Sequence, residues 1–228
     1  MPIKRDWILN LDVDQVLKNQ GADPAALRKR SPRLAEVAQR ALEAGSSLLE
    51  PVAAYRQLKI VSCTHTRVRL EGGYLLSGKT MAQLLGPAEQ AVIVVCTIGG
   101  MLEAYASEVM PQDPLFGLAL DGLGSAAIET LAEQVCAFFG EQAASRGLQA
   151  TVPLSPGVEG WPFKHGQSQI FGIVEAREAG VVLTPSSMMI PIKSLSLVIG
   201  LGEHVDSSGK VCNYCTLRAT CRYQDQYA

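Results

Sequence analysis

The sequence predicts an α+β fold: a single domain built on a twisted, mainly antiparallel sheet flanked by helices, with a short cysteine-rich tail. Three observations carry this. Helix-patterned and strand-patterned segments are mixed without the regular strand–helix–strand beat of a doubly wound sheet. At 228 residues the chain can bury one sizeable core. Hydrophobic residues make up 47% and charged residues 18%, a globular composition that excludes a disordered chain. No internal repeat or low-complexity linker divides it. The character changes only after Gly202, so residues 1–202 read as the domain and 203–228 as the tail.

The elements follow in order. Residues 13–19 and 24–29 carry two short helical patterns. A firmer helix spans 32–44, where Ser31 offers an N-cap, Pro32 takes the first helical position, Leu34, Val37, Ala41 and Leu42 form an apolar stripe, and Gly45 closes the run. Residues 52–61, 67–70 and 74–76 read as strands, the last two parted by Gly72-Gly73. A short helix over 79–85 leads into 90–98, so uniformly apolar that it reads as a strand buried on both faces. Asp113-Pro114 opens the longest helix, running to residue 144. Gly122 and Gly124 inside it each cost roughly 1 kcal/mol against alanine, so another backbone or a ligand is expected to approach closely there. A last helix over 167–178 ends at Gly180, and 194–200 has the pattern of a strand. Between them, Ser155-Pro156-Gly157 and Trp161-Pro162 interrupt regular structure, and an open loop with free backbone N–H groups is expected.

The formal net charge of −2 argues against broad nucleic-acid binding, which needs an excess of Lys and Arg, and leaves room for a local basic patch. The longest apolar run, residues 91–102, falls short of the ~20 residues of a membrane span, so no membrane association is expected. Residues 1–10 lack the apolar centre of a secretory signal. A cytoplasmic, reducing location follows as the expectation, and there a tight cysteine cluster reads as metal ligands before it reads as disulfides.

Such a cluster is present. Cys212-x2-Cys215-x5-Cys221 puts three thiols close enough for one turn-rich loop to aim them at a single metal centre. Soft thiolates suit zinc or an iron–sulfur (4Fe-4S) cluster, and the spacing does not separate the two. A fourth ligand must come from elsewhere: Cys63 first, otherwise His204, Cys96, Cys136, another chain or an exogenous molecule. Lys210, Arg218 and Arg222 would offset the charge of a thiolate centre. Cys96 and Cys136 sit among apolar neighbours and read as core. His65, His165 and His204 have no metal-set spacing; His165 draws interest because it follows Trp161-Pro162.

Taken together, the strand end Val95-Cys96-Thr97-Ile98-Gly99, the helix motif Asp121-Gly122-Leu123-Gly124-Ser125-Ala126-Ala127, the Ser155-Pro156-Gly157 turn, Trp161-Pro162 and the stretch from Leu183 to Ser194 resemble the activation (reactivation) domain of cobalamin-dependent methionine synthase. The similarity runs from about Leu11 to Gly202. It is greatest to free-standing relatives that carry a Cys-rich tail ending much as Cys221-Arg222-Tyr223 does. That family holds S-adenosylmethionine on a loop of the form Arg-x-Ala-Pro-Gly-Tyr, a helical Glu and a later Tyr. The resemblance therefore implies a cofactor site of Glu129, Ser155, Pro156 and Gly157. Pro153, Val158 and Ile199 stand where the Arg and the two Tyr residues belong, which predicts weaker S-adenosylmethionine binding than in that domain.

Trp161, with His165 beside it, is expected to form an apolar plate for docking a corrinoid, with plain core packing as the alternative. The implied function is that of a corrinoid-linked accessory protein. It would dock on a corrinoid protein or cobalamin-dependent methyltransferase and reductively reactivate an oxidised cobalt centre through an iron–sulfur cluster on the tail. Two alternatives stay open: a non-catalytic cobalamin-binding module with a structural zinc, and S-adenosylmethionine-dependent methylation of the cofactor.

Overall fold

The computed structural model describes residues 1–21, 23–209, 211–216 and 218–221. Its strands are β1 (Ile3–Lys4), β2 (Val52–Cys63), β3 (Arg67–Leu70), β4 (Leu75–Ser77), β5 (Gln90–Thr97), β6 (Gln149–Ala150), β7 (Val182–Leu183), β8 (Met189–Ile190) and β9 (Ser194–Gly202). Its helices are α1 (Val13–Asn19), α2 (Pro24–Arg30), α3 (Pro32–Gly45), α4 (Lys79–Leu85), α5 (Met101–Val109), α6 (Pro114–Ala144) and α7 (Phe163–Ile173).

Strand β5 lies at the centre of the expected antiparallel sheet. The order is β4-β3-β2-β5-β9-β6, with β1 added to β2 and a separate β7–β8 hairpin, and every pairing in the main sheet is antiparallel. Strand side chains alternate faces, so one strand feeds two cores. Val92, Val94 and Cys96 of β5 join Ala53, Leu197 and Ile199 beneath α1, α3, α5 and α6. Ala91, Ile93 and Val95 join Val198 against α4, α7 and the loop residues Leu154, Val158 and Trp161. The result is three layers, which explains why β5 reads as continuously apolar.

Helix α6 is the spine of the first core. The Asp113 side chain accepts a hydrogen bond from Phe116 N at 3.1 Å and Pro114 takes the first turn. By length and composition α6 could cross a membrane, yet most of its apolar length is buried inside the domain, as in the core helix of a globular fold. Its two glycines serve close approach. A Cβ at Gly122 would lie 2.8 Å from Gln20 Cγ and 3.1 Å from Val16 O, so α1 could not pack as it does. At Gly124 the Cβ would lie 3.2 Å from both Lys193 Cγ and Cε.

Several elements depart from the sequence reading. Helix α5 is unannounced because Gly100 caps it with no side chain. The last helix begins at Phe163, released by Pro162, and ends where Val174 turns extended; a separate 3-10 turn, Ala176–Ala179, carries the chain to a left-handed Gly180 with φ 79°. Ser31 makes no side-chain cap because it ends α2 and begins α3 at once. The stretch after Leu183 folds back as the β7–β8 hairpin.

Candidate functional site

The loop that follows β6 is the centre of the predicted site, and much of its backbone is hydrogen-bonded. Leu154 pairs with Val198, N–H to C=O in both directions at 2.9 and 2.8 Å. Beyond it Val158 N donates to Ser155 O, Trp161 N to Val158 O and Gly157 N to Trp161 O. Gly157 sits at φ 106°, a conformation that a residue with a Cβ rarely adopts. Three of the N–H groups expected to be free here, those of Gly157, Val158 and Trp161, are thus taken within the loop itself.

Trp161 is not a docking plate. Its ring is fully buried in the second core, and its indole N–H donates to Gln169 Oε1 at 3.1 Å. Two glycines make the slot: a Cβ at Gly78 would lie 2.7 Å from Trp161 Cβ, and one at Gly166 would lie 2.9 Å from the ring. A large indole with its one polar atom satisfied belongs inside. What remains exposed on this edge is the first turn of α7, Pro162 to His165, including Phe163 at 40% exposure. Gln169 Oε1 also accepts from Ser77 N at 3.2 Å, so its amide nitrogen faces His165 Nε2 at 3.2 Å. The exposed imidazole is thereby tied to the buried indole through one side chain.

The remaining predicted ligand residues are divided between the layers. Glu129 rides half-buried on α6, above the first core. Ser155 and Gly157 are half-buried and Pro156 buried in the loop on the second. Ile199 is packed in the first core and Val158 in the second, so aliphatic packing occupies both positions where rings were expected. Two clefts open elsewhere, and none of these residues lines either. One, of about 620 Å³, lies at the end of β5 between Arg5, Glu50, Gly99, Gly100 and Arg177. The other, of about 440 Å³, lies between α5 and α6 and is lined by Glu103, Met110, Leu120, Asp121 and Lys193. Here Lys193 Nζ donates to Asp121 Oδ1 and Ser125 Oγ, both at 2.8 Å, and Ile192 N donates to Glu103 Oε2 at 2.8 Å. Sequence reasoning missed this cluster; the i, i+4 spacing of Asp121 and Ser125 on one helix face was the available signal.

The tail docks on the loop. Cys215 bridges Val158 in antiparallel fashion, Glu159 N donates to Tyr214 O at 2.9 Å, and Thr216 Oγ1 donates to Gly157 O at 3.1 Å. Cys212 lies in the 3-10 turn Val211–Tyr214, and Cys221 follows the turn Arg218–Thr220. Cys63, at the end of β2, donates to Ala82 O at 3.2 Å, and partial burial pushes its thiol up from the ordinary value. Among the described residues no three His, Cys, Asp or Glu side chains gather as a metal set. Donor chemistry suits a soft metal, but the placement of Cys212, Cys215, Cys221 and Cys63 does not assemble one. Residues 214–216 contact the loop through backbone atoms and the Thr216 hydroxyl, and Cys63 contacts α4. Lys210, Arg222 and Tyr223 lie outside the described residues.

No protein-family model matches this sequence, and no curated protein matches it. Among solved structures, the MetH reactivation domain, determined bound to AdoHcy, superposes with a TM-score of 0.68 over 92% of this chain and 80% of that chain, at 15% identity. The chain has the fold of the MetH reactivation domain. The expected α+β architecture is therefore present. On this reactivation-domain fold the present sequence places Pro153 ahead of the loop, with neither a cation nor an N–H to offer an anionic group.

Proposed function

We propose that this chain is an accessory module of corrinoid-dependent methyl transfer, which docks on a corrinoid protein or cobalamin-dependent methyltransferase and takes part in its reactivation. The observation that carries the reading is the reactivation-domain fold across nearly the whole chain. With Trp161 inside, the docking surface falls to the exposed first turn of α7. Phe163 there supplies apolar area, and His165, oriented by Gln169, supplies a polar group at its edge. The tail thiols are the soft donors this protein can bring to a metal. An iron–sulfur cluster held there would supply single electrons to an oxidised cobalt centre, and iron, sulfide and zinc analysis after anaerobic purification tests that part alone.

Docking is tested by titrating the full chain into a cobalamin-loaded corrinoid domain and into its cobalamin-free form. Saturable binding to the loaded form, weakened about tenfold by Phe163→Ala, is expected. Equal binding to both forms, or none to either, overturns the reading.

S-adenosylmethionine binding should be weak. The guanidinium fork that would grip its carboxylate is absent, and both ring positions hold buried aliphatics, which together remove several kcal/mol of contact. Calorimetry is expected to return a dissociation constant above about 100 μM. A low-micromolar value would show that other residues, first among them Lys193 and Asp121, have taken over the ligand.

A further inference from the structure

The cleft between α5 and α6 has the make-up of a small-molecule site, and its polar groups say which kind. Its volume of about 440 Å³ falls in the range of ~300–1,000 Å³ usual for such sites. The walls are mainly aliphatic, from Leu102, Ala106, Met110, Leu120 and Ile192, and of these Ile192 and Met110 stay 62% and 38% exposed. A two-residue strap joins the two helices across it. Ile192 N donates to Glu103 Oε2 on α5, and Lys193 Nζ donates to Asp121 Oδ1 and Ser125 Oγ on α6, all at 2.8 Å. Gly124 leaves room for the lysine stem, since a Cβ there would lie 3.2 Å from Lys193 Cγ and Cε.

Charge decides the ligand. An ammonium has three donors, and Lys193 spends two of them on Asp121 and Ser125, so one carboxylate already matches its charge. Glu103 is different. It is half-buried, gives one oxygen to a neutral backbone N–H, and forms no ion pair among the described residues. The lining therefore holds one carboxylate more than it holds cations, beside apolar walls. We propose that this cleft binds a small organic cation, a primary amine on an apolar body, with its ammonium on Glu103 and its body among Leu102, Ala106, Met110 and Leu120. A ligand with a carboxylate in place of the amine meets Glu103 with the wrong sign, and a plain hydrocarbon strips water from that carboxylate without replacing it. The inference uses neither the corrinoid reading nor the loop after β6, so each can fail without the other.

The test titrates the full chain with three probes of similar size, phenethylamine, phenethyl alcohol and phenylacetate, and follows the Met110 and Ile192 methyl signals by NMR. Phenethylamine is expected to shift both signals saturably, with a dissociation constant of about 1 mM or tighter. Phenylacetate should bind at least about tenfold more weakly. Glu103→Gln keeps an oxygen for the Ile192 N–H and removes the charge, so it should weaken the amine about tenfold and bring it level with the alcohol. Thermal unfolding checks that this variant is folded; should it not be, the amine's tenfold lead over the alcohol in the unaltered protein is the deciding measure. Equal binding of amine and alcohol there, unchanged amine affinity in a folded Glu103→Gln, or no shift at Met110 and Ile192 with any probe overturns the proposal. Tighter binding of phenylacetate also overturns it, and assigns the cleft to Lys193 and an anion.

Discussion

Trp161→Ala is expected to lower stability by about 3–5 kcal/mol, the usual cost of deleting a large buried aromatic that neighbours cannot collapse around. The neighbours here are Gly78 and Gly166, whose missing side chains define the slot, and Gln169, which would lose its indole donor. Collapse of small residues into that space is limited because the backbone carries them on β4's exit and on α7. Urea or thermal unfolding measures the effect, and for a domain of this size the midpoint should fall by about 10 °C. An unchanged midpoint would return Trp161 to the surface role expected from its sequence context. Binding to a corrinoid protein, measured well below the new midpoint, should survive the substitution, because the exposed turn that follows is untouched.

Alkaline pH should unfold the protein through two thiols. Burial first, then the nearby Cys136, pushes the Cys96 thiol up to about 12, and burial first, then Glu133, does the same to Cys136. In the unfolded chain both ionise near the ordinary value of about 8.5. Below that pH both states hold the protons and the thiols contribute no pH dependence. Above it the unfolded state loses protons first, so stability falls as pH rises toward about 12. The slope is at most about 1.4 kcal/mol per pH unit for each thiol. Replacing them, as Cys96→Val with Cys136→Ala, should flatten the decline between pH 9 and 11 by up to about 2.8 kcal/mol per unit. Parallel declines in the two proteins would show that other groups, such as lysines and tyrosines, carry the alkaline transition.

Elements with a strong period or a punctuated start were legible in the sequence. The apolar run of β5 and the Asp113-Pro114 start of α6 each have a local physical cause that acts before any tertiary contact. Helix α5 escaped because glycine starts it, and the start of α7 escaped because Pro162 reads as a breaker although it stands just outside the first turn. Trp161 was ambiguous for a different reason. A tryptophan beside proline and glycine suits an exposed loop as well as a core, and what decides is a gap left by Gly78, more than 80 residues upstream. The same holds for Gly124, whose partner is Lys193. The cysteine spacing was plain, yet spacing describes a chain free to bend, whereas the tail's backbone is already bonded to the loop.

Sheet order also bears on how the chain is made. The central strand β5 is complete by residue 97, but its second neighbour, β9, starts only at Ser194. During synthesis an apolar strand must therefore wait for nearly a hundred residues with one edge unpaired, a condition that favours pairing with other chains. Helix α6 is the natural interim cover for one face of that strand, since it packs on β5 and is synthesised before β9. Nascent chains released before residue 202 would keep the open edge for good, so shortened versions of this protein should aggregate, whereas removing only the tail leaves every rung of the sheet in place.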